Sequence, residues 1–169
     1  KFNSSGVRQW GTYYGGTGEE YGNSCATDAS GNIYLSGFTS STSGMATTGA
    51  HLATFGGGDW DAFLVKFNSS GVRQWGTYYG GTAGEAAYHC ATDASGNVYL
   101  TGEAKSTTGV ATTGAHQTSK GSLEDAFLVK FNSSGVRQWG TYYGGSGNDY
   151  GHSCATDASG NVYLAGDAR

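Results

Sequence analysis

Proline is missing altogether from the 169 residues, where an average domain of this size would carry about eight. Its absence excludes polyproline linkers and collagen-like stretches. Charge is also scarce: Asp, Glu, Lys and Arg together make up 13% of the chain, about half the usual share. Nine basic residues stand against thirteen acidic ones, a formal charge of −4, so there is no positive field for nucleic acid. Long apolar runs are lacking as well. Ala62-Phe63-Leu64-Val65 is typical, far short of the 18 or so residues that cross a bilayer as a helix. What is abundant is glycine, at 31 positions, and aromatic side chains, at 14%. So much aromatic surface is incompatible with charge-rich disorder and marks a glycine-rich β protein.

Self-similarity organises the chain. The run KFNSSGVRQWGTYYGG occupies Lys1–Gly16, Lys66–Gly81 and Lys130–Gly145, at offsets of 65 and 64. CATDASGN starts at Cys25, Cys90 and Cys154 with the same offsets, and ATTGAH sits at Ala46–His51 and Ala111–His116. The single-residue difference falls between His51 and Asp61, which marks a loop.

Each unit of about 64 residues reads as four strands. Asp28-Ala29-Ser30-Gly31-Asn32 separates two β-rich runs, and Asn68-Ser69-Ser70-Gly71 separates Asp61–Phe67 from Val72–Tyr79. Both are hairpin turns in which glycine supplies the positive φ. The stretch between the hairpins, Gly37 to Gly58, is rich in Ser, Thr and Gly, and no 3.6-residue apolar period is sustained anywhere. Phe63-Leu64-Val65-Lys66-Phe67 is apolar on both faces except at Lys66, which fits a sheet covered on both sides. Four short strands repeating at this period predict an all-β fold: a β-propeller of four-stranded antiparallel blades. A β-solenoid is the alternative, but its coils are less than half as long.

The motif Asp-Ala-Phe-Leu-Val-Lys-Phe-Asn-x-Ser-Gly, followed by Trp-Gly-Thr-Tyr-Tyr-Gly-Gly and Asp-x-x-Gly-Asn-Val-Tyr-Leu-x-Gly, resembles the bacterial SBBP β-propeller repeat. More loosely it is similar to NHL-type blades. The resemblance covers the whole chain and implies a secreted or cell-surface location more than any chemistry.

On this reading the chain divides into a half-blade at 1–16 (strands three and four), blades at 17–81 and 82–145, and a half-blade at 146–169 (strands one and two). Closed propellers need four to eight blades, so a longer propeller or completion between copies is expected. The partners expected are therefore neighbouring copies or further blades of the same protein, with surface glycans as the alternative. The copies differ mainly in the segments leaving strand four and joining strands two and three, such as Thr17–Ser24 against Thr82–His89. These should share one face, and loops are where binding is usually carried.

Candidate sites follow from that face. Glu20, Glu85 and Asp149 recur at one position and either form a calcium-binding ring of carboxylates or stand apart as solvated loop charges. His51 and His116 close the Ala-Thr-Thr-Gly-Ala-His segment and either contact a ligand or anchor the loop. Asp28, Asp93 and Asp157 should bond backbone amides within their own turns. Cys25, Cys90 and Cys154, at equivalent positions, should be small buried groups, with too few neighbouring ligands for zinc despite His89 and His152. Trp10, Trp75 and Trp139, with the Tyr-Tyr pairs, either pack the blades or stack on sugars. Asn3, Asn68 and Asn132 head Asn-Ser-Ser sequons on turns. No nucleophile–base set or glycosidase-type acid pair is present. The expected role is thus a non-enzymatic, extracellular structural or adhesive module. The alternatives are a lectin-like propeller using the variable face and, behind it, a polysaccharide-degrading enzyme.

Overall fold

The computed structural model describes all 169 residues and contains ten antiparallel strands and no helix. They are β1 (Glu20–Thr27), β2 (Ile33–Thr39), β3 (Asp61–Phe67), β4 (Arg73–Tyr79), β5 (Glu85–Thr92), β6 (Val98–Ala104), β7 (Asp125–Phe131), β8 (Arg137–Tyr143), β9 (Tyr150–Thr156) and β10 (Val162–Asp167). β1 to β4 form one meander sheet, β5 to β8 a second, and β9 and β10 a third of two strands. The first strands β1, β5 and β9 lie side by side, so the sheets stack face to face.

Turn chemistry sets each hairpin. Asp28 Oδ1 accepts the Ser30 and Asn32 amides at 3.0 Å, and Gly31 takes φ +73° behind them. Asp93 and Asp157 repeat the pattern, as expected from the sequence. At the other hairpin Asn68 Oδ1 accepts the Ser70 and Val72 amides, and Asn132 and Asn3 do the same in their copies. The sequon asparagines are thus the braces of their turns.

The core lies between the sheets. In β3 and β7 every residue except Lys66 and Lys130 is buried, which is the two-sided covering that their continuous apolar character requires. Tyr34, Leu64 and Tyr79 of the first sheet pack on Val98, Leu100, Phe127 and Phe131 of the second, all fully buried. Each such side chain contributes about 2 kcal/mol. The two lysines lie flat: Lys66 Nζ sits 5.2 Å from the Tyr34 ring centre, donates to the Ser133 carbonyl at 3.0 Å and lies 3.9 Å from Asp28.

The long β2–β3 connection shields the outer edge strand, which would otherwise invite pairing with other chains. Thr47 donates its amide to the Gly76 carbonyl, and Tyr78 donates its amide to the Leu52 carbonyl. Gln117 and Thr112 do this for β8. Residues 1–16 form only a bridge between Phe2 and Arg8, because no strand like Ala62–Lys66 runs alongside them to build a ladder. Trp10 and Tyr14 nevertheless make the contacts of Trp75 and Tyr79: each indole donates to a serine carbonyl of the next sheet and each phenol to a carbonyl of its loop. The tryptophans and tyrosines at these positions hold sheet to sheet.

Of the three cysteines, all free, Cys90 and Cys154 are buried and Cys25 is exposed. The expectation of three buried groups fails at Cys25 because no strand pair covers that face of β1. Burial pushes the Cys154 thiol up to about 12 and raises the Cys90 thiol too.

Candidate functional site

The first strand of every sheet carries a β-bulge. Pairing of β1 with β2 skips between Gly22 and Ser24, that of β5 with β6 between Ala87 and His89, and that of β9 with β10 between Gly151 and Ser153. The extra residues are therefore Asn23, Tyr88 and His152. A bulge frees one residue from the ladder and re-aims its side chain. It also draws the two backbones together: a Cβ on Gly37 would lie 1.7 Å from the Tyr21 carbonyl oxygen, on Gly102 1.8 Å from that of Ala86, and on Gly166 1.9 Å from that of Tyr150. This close approach explains the glycine that ends each Tyr-Leu-x-Gly run.

Between the second and third sheets the bulged residues Tyr88 and His152 open onto a cavity of about 600 Å³, lined also by Glu103, Glu124, Tyr150 and Asp167. Its polar groups are linked in pairs. Tyr150 donates its hydroxyl to Glu124 at 2.8 Å, Lys105 reaches the same carboxylate at 3.2 Å, and His152 Nε2 lies 3.2 Å from Asp167. The His152 ring lies 6.2 Å from both Tyr88 and Tyr150, roughly parallel to each. Burial raises the Glu103 carboxyl, and the Glu124 charge raises it further.

In the first sheet the matching place is aromatic. Tyr21 stacks on Phe38 at 4.9 Å, and Trp60 meets both rings edge-on. Phe38, Glu103 and Asp167 are equivalent positions, as are Tyr21, Ala86 and Tyr150. The copies therefore diverge on one contiguous rim built over an unchanging scaffold.

The acids expected on the variable face are placed differently. Glu20 and Glu85 open β1 and β5, Asp149 directly precedes β9, and Glu85 and Asp149 are buried. Glu85 accepts the Gly81 amide on one oxygen and the Ser106 amide on the other, both at 2.8 Å. Asp149 accepts the Gly145 and Arg169 amides at 2.8 and 3.0 Å. Glu20 accepts the Thr39 and Ser41 hydroxyls. They are therefore not solvated loop charges. Each carboxylate clamps the segment entering strand one to the segment leaving strand two.

His51 packs half-buried between Tyr79 and Phe131, ring centres 6.2 and 5.6 Å away, and burial drops its pKa to about 4. It anchors its loop as a neutral ring. His116 is exposed and stacks on Tyr143 at 5.9 Å. The structure brings His116 and Asp149 to one cavity of about 460 Å³ beside Tyr143, and sequence reasoning had not singled out Tyr88, Glu103, Glu124, Tyr150 or Asp167. The signal was present in the differences between copies at 86–88, 103 and 124.

Residues 138–168, from β8 through β10, match the family model described as the SBBP beta-propeller repeat. That stretch is similar to an SBBP-type repeat. The same run of strand, bulge, turn and closing glycine recurs at 74–104 and 9–39. No curated protein matches the chain in sequence.

Proposed function

We propose that this chain is a non-enzymatic module of an extracellular or cell-surface β-propeller, structural or adhesive in role, that meets its partners through the loop end of its sheets. Its four-stranded sheets are the blades, with β1, β5 and β9 innermost. The carrying observation is the distribution of differences between copies: the hairpin turns Asp-Ala-Ser-Gly-Asn and Asn-Ser-Ser-Gly never change, whereas the bulged residues and their neighbours do. Turn chemistry alone accounts for the constant end. At the variable end, buried clamps such as Glu85 and Asp149 hold the scaffold while the rim is free to differ.

A second reading, a glycan-binding propeller, is favoured by the cavity at Tyr88, Tyr150 and His152. Its rings and carboxylates offer stacking faces and acceptors to a hydroxyl-rich ligand.

Binding of the immobilised chain to whole cells and to a panel of surface polysaccharides tests both. Changing Tyr88, Glu103 and His152 together to alanine should abolish binding, whereas Ser30, Ser95 and Ser159 changed to alanine at the turn end should leave it intact. Equal loss in the two variants, or no binding by the unaltered chain, would overturn the proposal. Binding to cells without binding to any polysaccharide would exclude the glycan reading alone.

A further inference from the structure

The cavity between the second and third sheets is rich in hydrogen-bond acceptors and poor in free donors. Its lining holds the carboxylates of Glu103, Glu124 and Asp167, and no lysine or arginine. The Tyr150 hydroxyl is already given to Glu124 at 2.8 Å, and the Tyr88 hydroxyl to Glu103. His152 is turned to Asp167 at 3.2 Å. What the walls lack is donors and positive charge, and a ligand that suits them brings both.

The chain supplies one such group itself. Lys105, its side chain half exposed, places its ammonium 3.2 Å from Glu124 at the edge of the cavity. The hydrogen bond to Glu124, with the charges of Glu103 and Asp59 behind it, raises the Lys105 pKa. A primary ammonium is thus the kind of cation this place holds, and Lys105 does not satisfy it: Glu103 feels Lys105 only through its charge. Nor does the fold require these acids. The first repeat has Phe38 in place of Glu103 and Trp60 in place of Glu124, on a sheet of the same four-stranded order.

Rings complete the wall. His152 lies 6.2 Å from Tyr88 and 6.2 Å from Tyr150, inclined 30° and 24° to them. Ring faces in such a row accept the apolar face of a sugar and attract a cation held against them. A peptide would bring one carbonyl acceptor for every amide donor, and acceptors are what the cavity already has. A polyol that carries an ammonium brings donors in excess.

We propose that this cavity binds a cationic amino sugar, its ammonium on Glu103 beside Glu124 and its ring against Tyr88 and His152. The assignment rests on the glycan reading above and narrows it to sugars with a free amine. N-acetylation removes the charge and adds a carbonyl acceptor, so the acetylated sugar is the wrong ligand by the same reasoning.

Calorimetric titration of the 169-residue chain, in mildly acidic buffer where the amine is charged, tests this with hexamers of β-1,4-linked glucosamine, of its N-acetylated form and of lysine. The glucosamine hexamer should bind, and the other two should bind at least about tenfold more weakly, for want of a charged or a hydroxyl hydrogen bond. Glu103→Gln keeps the shape of the side chain and should weaken binding about tenfold. Glu19→Gln, which removes the same charge from the exposed segment before β1, should leave it unchanged. Equal affinity for the acetylated hexamer overturns the cationic assignment and keeps the glycan reading. Equal affinity for the lysine hexamer overturns the proposal because charge alone is then recognised. Unchanged binding by Glu103→Gln, or an equal loss in Glu19→Gln, overturns it by placing the ligand elsewhere. Failure of both sugar hexamers to bind also overturns it, and the polysaccharide panel then decides the glycan reading by itself.

Discussion

Gln117 donates its side-chain amide to Oδ2 of the buried Asp125 at 2.7 Å. The first repeat has Leu52 where the second has Gln117, and its Asp61, equally buried, keeps Oδ1 without any partner. Two near-identical repeats thus give the same acid different hydrogen-bond partners.

Burial, reinforced by the charge of Glu85, lifts the Asp61 pKa to about 7 against the amides of Gly56 and Gly57. In the unfolded chain it titrates near the ordinary aspartate value of about 3.9. Between these values the folded state holds a proton that the unfolded state has lost, so stability falls as pH rises through that window. Urea midpoints measured from pH 4 to 8 should decline, and Asp61→Asn should make the decline shallower. Leu52→Gln, which supplies the missing donor, should do so as well. A slope unchanged in both variants would refute this account.

Gly102→Ala should be among the most damaging single changes, because the added methyl would lie 1.8 Å from the Ala86 carbonyl oxygen opposite the bulge. A loss of about 3 kcal/mol or more is expected in chemical denaturation. Gly145→Ala, with open space around its Cα, should cost less than about 0.5 kcal/mol.

Asp93→Ala removes the acceptor for the Ser95 and Asn97 amides and for the Tyr99 hydroxyl. Charged acceptors of this kind contribute about 1.5–3 kcal/mol, so a loss near the upper end is expected. Asp93→Asn keeps one oxygen for the amides and should lose about half as much. Equal losses would place the effect in packing and not in the turn.

Calcium should leave the melting temperature where it is. Both oxygens of Glu85 and of Asp149 already accept backbone amides, which leaves little of the oxygen shell that calcium requires. A calorimetric scan with and without the ion decides it, and a rise of several degrees would restore the carboxylate ring as a metal site.

The fold could be read from the sequence because its turns are local chemistry. Asp28 with Gly31, and Asn68 with Gly71, announce hairpins through contacts no more than four residues away. The site was harder to read for the opposite reason. Alternation along a strand presumes an unbroken ladder, so nothing in the local pattern marks Tyr88 or His152 as the residue that slips out of it. Glu85 looked like a surface charge because its partners, Gly81 and Ser106, approach it from different ends of the repeat. Likewise, the identity of the cysteine motifs concealed that Cys25, unlike Cys90, has no strand pair over it.

The bulge on the first strand separates two demands that repeated proteins usually have to meet together. Asn23, Tyr88 and His152 sit outside the pairing register, so their identity changes while every partner on either side keeps its place. Each added repeat then brings one freely chosen side chain to the same rim at a fixed step. The rim works like a row of sockets on a standard rail: its surface is rewritten one repeat at a time, without renegotiating the fold beneath.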